Sequence, residues 1–299
     1  MAFAIGLDIG GTKIAGAVFD QDNRELGQIV LPTPDSYSAL VTTCEAIVGQ
    51  LENKVGRAQS IGAGVPGSVD QKTGTILFTG NTPYLTGKPL RVDLEKILKR
   101  TVHIANDADC AALSEAIDGA GAGFNSVFGI IMGTGVGGGF VVGDKLIQGA
   151  NGLLGEFGQL PLPFREPSDG PVIDCVCGQK GCIDKTISGS GLARLYHSMT
   201  TKESDAMHIA EMAKKNDAEA VRVLDQFYTT VAKAMITVIH TYDPGAIVVS
   251  GGLSQLPGMF EHVPKRWGQY TIAKNPQTKF FAAKHGAMSG LRGAAWLGR

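Results

Sequence analysis

One pattern is written twice in this chain, and it limits the possible folds more than anything else. Residues 5–20, IGLDIGGTKIAGAVFD, run an apolar strand into a glycine turn and return as a second apolar strand. Residues 128–144, FGIIMGTGVGGGFVVGD, do the same about one domain later. A glycine turn between antiparallel strands can aim several backbone N–H groups at one anion. Two such hairpins facing each other across a cleft would hold a polyphosphate from both sides.

The segments around the repeat read as alternating strands and helices. ELGQIVLPT is a third strand. SYSALVTTCEAIVGQLENKVG has helical spacing, with Leu40, Cys44, Ile47 and Leu51 on one stripe. SIGAGVPG is a buried strand ended by Pro66-Gly67. PLRVDLEKILKR is a helix with proline in its first turn, and TVHIANDA is the strand after it. The order strand, strand, strand, helix, strand, helix, strand implies a layered α/β domain. Further on, residues 186–199, 203–215 and 217–242 read as helices and GAIVVSGGLS as a buried strand. A helix near 257–269 and another in AMSGLRGAAWL complete the chain.

The glycine run 133–139, with its turn placed at TGVGGG, contains a GxGxxG match at Gly133, Gly135 and Gly138. A dinucleotide fold needs a helix directly after these glycines. The strand pattern FVVGDKLI follows instead, so a nicotinamide oxidoreductase is excluded. In DIGGTK, Asp8 is placed to hold magnesium through water, as suits a cation that keeps most of its hydration shell. Gly10, Gly11 and Thr12 can wrap a terminal phosphate, with the charge of Lys13 nearby. In NDAD, Asp107 opens the helix CAALSEAI and reads either as a helix cap or as the general base for an attacking hydroxyl. Asn106 and Asn81 are candidates to hydrogen-bond a polyol.

Composition removes other classes. A net charge of −1 recruits neither nucleic acid nor an anionic membrane. No apolar run approaches the roughly 20 residues of a membrane span. The start MAFAIGLDIGGTK lacks the basic and apolar regions of a signal peptide, and 5 cysteines, an odd number, argue against a disulfide scaffold. These features predict a soluble, cytoplasmic protein. Three of the cysteines, Cys175, Cys177 and Cys182, crowd into VIDCVCGQKGCID like most of a zinc knuckle, whose structural form wants four ligands.

DIGGTK, GVPGS, NDA, GTGVGGG, GEFG followed by CVCGQKGC, and VVSGGLS stand in an order that resembles the ROK-family sugar kinases over essentially the whole chain. LSEAIDGAGAG and GANGLLGEFGQLPLP lean toward the fructokinase branch, with N-acetylglucosamine, glucose and mannose kinases as alternatives. The resemblance implies an α/β, two-lobed actin-like and hexokinase-like fold that closes over ATP and sugar. The small lobe would be 1–107 plus 286–299 and the large lobe 108–285. It implies Asp107 as catalytic base phosphorylating a hexose, with the 6-hydroxyl as acceptor. Gly67, Asn81, Asn106, Asp107, Glu156, Gln159 and Asp184 would lie at the sugar. Asp8, Gly10, Gly11, Thr12 and Lys13 would form one phosphate loop, Gly133, Thr134 and Gly135 the other, and Gly251 and Gly252 would line the adenosine site. It also implies ATP and Mg2+, Zn2+ at the cysteines, and a homodimer.

The chain departs from the family pattern at the knuckle. The family's fourth zinc ligand is a histidine, and here that position is Gln159 in GEFGQ. Zinc could bind three thiolates and a water, or recruit Asp174 or Asp184, or the knuckle could keep its shape without metal. Asp184 replaces a usual glutamate that reaches the sugar, and Asp109 stands where asparagine is frequent. A DNA-binding repressor of the same family would carry a helix-turn-helix extension before the first strand; with that strand beginning at residue 3 and a net charge of −1, no DNA-reading element is expected. A non-catalytic sugar-binding protein is the remaining alternative, opposed by Asp107 and both phosphate hairpins.

Overall fold

The computed structural model describes residues 3–79 and 82–298. Strands β1 (Ala4–Ile9), β2 (Lys13–Phe19) and β3 (Glu25–Pro32) lead into helix α1 (Tyr37–Val55) and strand β4 (Ser60–Val65). A small hairpin, β5 (Ser68–Val69) and β6 (Ile76–Phe78), precedes helix α2 (Leu90–Leu98), strand β7 (His103–Asn106) and helix α3 (Asp107–Ile117). The sequence repeat then begins again with β8 (Ser126–Met132), β9 (Val136–Val142) and β10 (Lys145–Leu146). Helices α4 (Ile183–Ile187), α5 (Gly189–Thr200), α6 (Ala206–Lys214) and α7 (Ala218–Tyr242) follow. The chain closes with β11 (Ala246–Ser250), α8 (Met259–His262), β12 (Lys279–Ala282) and α9 (Ser289–Trp296).

The repeat in sequence is a repeat in topology. The first sheet runs β3-β2-β1-β4-β7 and the second β10-β9-β8-β11-β12. In each, an antiparallel hairpin is followed by parallel strands, β1 beside β4 and β8 beside β11. Each sheet has its own core. The first buries Leu7, Ile14, Ile47 and Leu51, with the predicted stripe of α1 facing inward, and the second buries Phe128, Phe157, Phe227 and Trp267.

Two helices cross between the sheets. α3 leaves the first sheet and packs on the second, where a Cβ on Gly129 would stand 2.5 Å from Ala112 Cα and one on Gly139 2.7 Å from Asp109 Cα. α9 returns to the first sheet, and a Cβ on Gly6 or Gly62 would lie 2.1 Å from Leu291 O or 1.9 Å from Ala294 O. The helices meet at Gly293, whose Cβ would be 1.7 Å from Cys110 O. Small residues (Ala4, Ala17, Ala112, Ala116, Ala295) fill the core between them. Glu115, on α3 and 1% exposed, fastens this crossing. Its Oε1 accepts from His285 N (2.9 Å) and Ser289 Oγ (2.7 Å), and its Oε2 from Ala120 N and Lys284 N (2.9 Å each).

Several local expectations need correction. The second glycine turn is only Gly133–Gly135, since Val136 already pairs with Met132 and Gly137–Gly139 lie inside β9. Glycine in the strand lets α3 approach; it does not bend the chain there. The helix expected near 257–269 is broken by Pro264 into α8 and a 3-10 stretch, Pro264–Gln269. α4, β5, β6 and β12 were not anticipated.

Candidate active site

Both glycine turns sit at the same ends of their sheets. Gly10, Gly11 and Thr12 connect β1 to β2, with Gly10 N donating to Lys13 O at 2.9 Å. Thr33 ties the turn down from β3 through its Oγ1 to Gly10 O (2.6 Å) and its N to Thr12 O (3.0 Å). Gly133, Thr134 and Gly135 connect β8 to β9, with Gly133 N on Gly135 O at 2.9 Å. Thr134 and Gly135 are exposed. Asp8, last but one in β1, is half-buried, and burial raises its pKa against the opposing pull of Lys13.

Asp107 is the first residue of α3. Asn106 caps that helix through its side-chain oxygen on Ala108 N (2.8 Å) and uses its amide nitrogen to hold Gly67 O (2.8 Å). The carboxylate of Asp107 also accepts from Ala108 N, at 2.8 Å. Asn106 is thus the cap residue of α3, and Asp107 shares the same Ala108 N–H from the first helical position. Burial pushes the Asp107 carboxyl up to about 6, and the negative charge of Asp8 adds to the rise. Gly67 has φ +85, and any Cβ there would meet Phe78 O at 1.9 Å, so only glycine fits.

Glu156 precedes the 3-10 turn Phe157–Gln159, and burial followed by repulsion from Asp107 and Asp184 raises its pKa. Gln159 turns toward it. With its amide nitrogen facing Glu156, it donates to Glu156 Oε2 at 2.9 Å and to Glu156 O at 3.2 Å. At the knuckle, residue 159 presents only its main-chain oxygen, 3.5 Å from Cys182 Sγ. Asp184 is buried, and its Oδ1 accepts from Val136 N (2.8 Å) while its Oδ2 pairs with Lys185 (3.1 Å). The Asp184 carboxylate therefore braces the second glycine turn, a role the sequence did not reveal. Asn81 lies outside the described residues.

The three thiols converge. The sulfurs of Cys175, Cys177 and Cys182 lie within 4.8 Å of one another, and Cys177 and Cys182 are 3.5 Å apart. Thiolates about 2.3 Å from one tetrahedral zinc stand about 3.8 Å apart, so the cluster fits the ion. The two carboxylates considered as a fourth ligand point elsewhere, Asp174 to Lys180 (3.1 Å) and Asp184 to Val136 and Lys185. Among the described residues no fourth histidine, cysteine, aspartate or glutamate joins the group.

Beside the second turn is a cavity of about 610 Å³ lined by Gly133, Thr134, Ser190, Asp205, Met207 and Gly252. Its mixture of apolar walls and a few polar groups suits a nucleoside. Gly251, at φ +83, packs over Met132 O and leaves Gly252 at the cavity wall. Ser190 and Asp205 were not singled out from sequence, although the Asp205 cap of α6 (Oδ1 on His208 N, 2.8 Å) was legible there. Among the described residues no helix is long and apolar enough to cross a membrane.

Known proteins share this layout. The chain is 38% identical over 297 residues to the N-acetyl-D-glucosamine kinase of Vibrio parahaemolyticus, covering 98% of each chain. It is likewise 38% identical to that of Pectobacterium atrosepticum, covering 98% of this chain and 97% of the relative. In structure it is similar to a ROK hexokinase from Thermus thermophilus, with a TM-score of 0.86, 32% identity and coverage of 99% and 97%. A ROK family glucokinase from Streptomyces griseus, solved with glucose and AMPPNP, gives 0.80 at 31% identity and covers 99% of both chains. The profile of the ROK family matches residues 4–299, and the chain belongs to that family.

Proposed function

We propose that this ROK protein, a sugar kinase, transfers the γ-phosphoryl group of ATP to the 6-hydroxyl of a hexose, with N-acetylglucosamine as the leading substrate. The carrying observation is the placement of Asp107, a half-buried carboxylate at the head of α3 with glycine turns at the ends of both sheets. Support for the sugar comes from the N-acetyl-D-glucosamine kinase relatives. Fructose is the second reading, favoured by the stretches LSEAIDGAGAG and GANGLLGEFGQLPLP.

In this mechanism Asp107 accepts the proton of the acceptor hydroxyl as its oxygen attacks the γ-phosphorus. The bond from that phosphorus to the ADP oxygen breaks, and ADP leaves with the electron pair. The N–H groups of Gly11 and Thr12 and of Thr134 and Gly135 would face the phosphates, those of Gly10 and Gly133 being held within their turns, while Ser190 and Asp205 would border the nucleoside. Asp8 would hold magnesium through water, and that ion supplies charge neutralisation when bound. Gly67, Asn81, Asn106 and Glu156 would bind the sugar. Gln159 would act beside them by orienting Glu156, and Asp184 by fixing the second turn. The lobes, 1–107 plus 286–299 and 108–285, would close over both substrates and exclude water. Zinc would sit on Cys175, Cys177 and Cys182 with water as its fourth ligand. A cytoplasmic homodimer completes the reading, and light scattering after size exclusion checks the dimer.

The test is ADP release with Mg-ATP across N-acetylglucosamine, fructose, glucose, mannose and N-acetylmannosamine, with Asp107→Ala as the blank. Turnover on one hexose, lowered about 10²-fold or more in the variant, is expected. Sugar binding without turnover above the blank would replace the kinase with a non-catalytic sugar-binding protein.

A further inference from the structure

The site contains a carboxyl group that the mechanism above does not use. Asp109 lies two residues beyond Asp107 in the first turn of α3, and its Oδ1 is sealed from solvent without a hydrogen-bond partner. The Ala108 N–H in the same turn is already taken by Asn106 and Asp107, and the backbone N–H of Asn106 is the one donor that acts on its carboxyl, pulling its pKa down. From β9 it meets Gly139, where any Cβ would come within 2.8 Å of its Oδ1. With Asn106, Gln71 and Gln148 it borders a cavity of about 20 Å³, the size of one water. The remaining walls (Val69, Ile147, Gly149, Gly152 and Leu154) are uncharged. The charged groups acting on it are Asp107 on its own helix and Glu156 on the opposite turn, both carboxylates.

A buried carboxylate with one oxygen unpaired, a single backbone donor and two carboxylates for neighbours is costly to ionise, and a group so placed neutralises instead. We propose that Asp109 is carried as the neutral acid and is a positioning residue, keeping negative charge low behind Asp107 and Glu156 during phosphoryl transfer. Burial first, and the charges of Asp107 and Glu156 second, push its pKa up to about 8, so the acid form is retained at neutral pH. Ionisation above that range adds a negative charge beside the base and the transferring phosphoryl group, and the rate falls.

The role as a positioning residue rests on the kinase reading; the protonation state does not. The infrared difference between wild type and Asp109→Asn at pH 7, on the full-length protein, should show one protonated-carboxyl C=O band lost in the variant. Absence of that band would overturn the proposal whether or not the protein turns over a sugar. For turnover, Asp109→Asn should stay within about threefold of wild type at pH 7. Wild type should lose about tenfold in kcat by pH 9 while the variant holds its rate. A folded variant with tenfold lower kcat at neutral pH, or one with an unchanged alkaline decline, would overturn it. No hexose turnover in wild type would instead sink the kinase reading, leaving the infrared band to decide the state of Asp109.

Discussion

Glu115→Gln is the substitution in which a change of one atom should reveal how the lobes are joined. The carboxylate accepts four hydrogen bonds, two at each oxygen: Ala120 N and Lys284 N at one, His285 N and Ser289 Oγ at the other. A carboxamide of the same shape must turn its NH2 toward one of these pairs, facing two N–H donors at Ala120 and Lys284, or one at His285, where the Ser289 hydroxyl can accept and give its hydrogen to Gly286 O (2.9 Å). At least one bond to a charged acceptor is lost in the better orientation, about 1.5–3 kcal/mol. At about 2–4 °C per kcal/mol the melting temperature should fall by roughly 3 °C or more. Thermal denaturation measures this. Lys284→Ala is the control, because it removes only the lysine's exposed bond to Asp118 O (3.0 Å) and keeps its backbone N–H on Glu115. It should stay within about 2 °C of wild type. A Glu115→Gln protein melting with the control would refute the reasoning and make Glu115 incidental to the crossing.

Gly293→Ala places a Cβ 1.7 Å from Cys110 O, so the crossing helices must separate. A loss of about 3 kcal/mol or more in urea denaturation is expected, and a midpoint equal to wild type would contradict the packing. The kcat/KM of the free enzyme should fall as pH drops through about 6, because Asp107 then takes up the proton that blocks it as a base. A pH–rate profile flat from 7 to 5 would remove Asp107 from that role. After dialysis against a weak chelator, more than about half the molecules should keep zinc on the three thiolates, measured by elemental analysis. Lower occupancy would favour a knuckle without metal. Asp109→Asn should also stabilise the fold. The folded-state pKa of Asp109 lies above its unfolded value of 3.8, so its destabilising effect grows as pH rises from about 4 to 8. Denaturation of the two proteins should therefore diverge with pH, and parallel curves would exclude a raised Asp109.

The sequence displayed the elements whose signals are local. The hairpin at DIGGTK, the stripe of α1 and the long helix 217–242 depend on periodicity and turn chemistry, and the structure has α7 at Ala218–Tyr242. What it withheld depends on residues distant in the chain. Gly137–Gly139 read as a turn because glycine is ambiguous; the need for it shows only once α3 lies across Gly139 and the ring of Phe128 packs on Gly138. Gln159 was read as a failed zinc ligand, but its amide serves Glu156 three residues before it, on the other side of the turn. Glu115 is one acid among many in a helix until residues 284–289 arrive from the far end of the chain. β12, at Lys279–Ala282, is a four-residue edge strand without alternation to announce it.

The exchange of α3 and α9 between the sheets has a consequence for how the protein is made. The backbone of α9 seals Gly6 and Gly62, in the first and fourth strands, yet it leaves the ribosome more than 200 residues after them. At 5–20 residues per second, roughly ten to forty seconds separate completion of α3 from the emergence of α9. During that interval the first sheet waits with one apolar face uncovered, while the second lobe is still being synthesised. The sheet that is made first is therefore finished only after the strands of the second, and this face is where a chaperone would have most to protect.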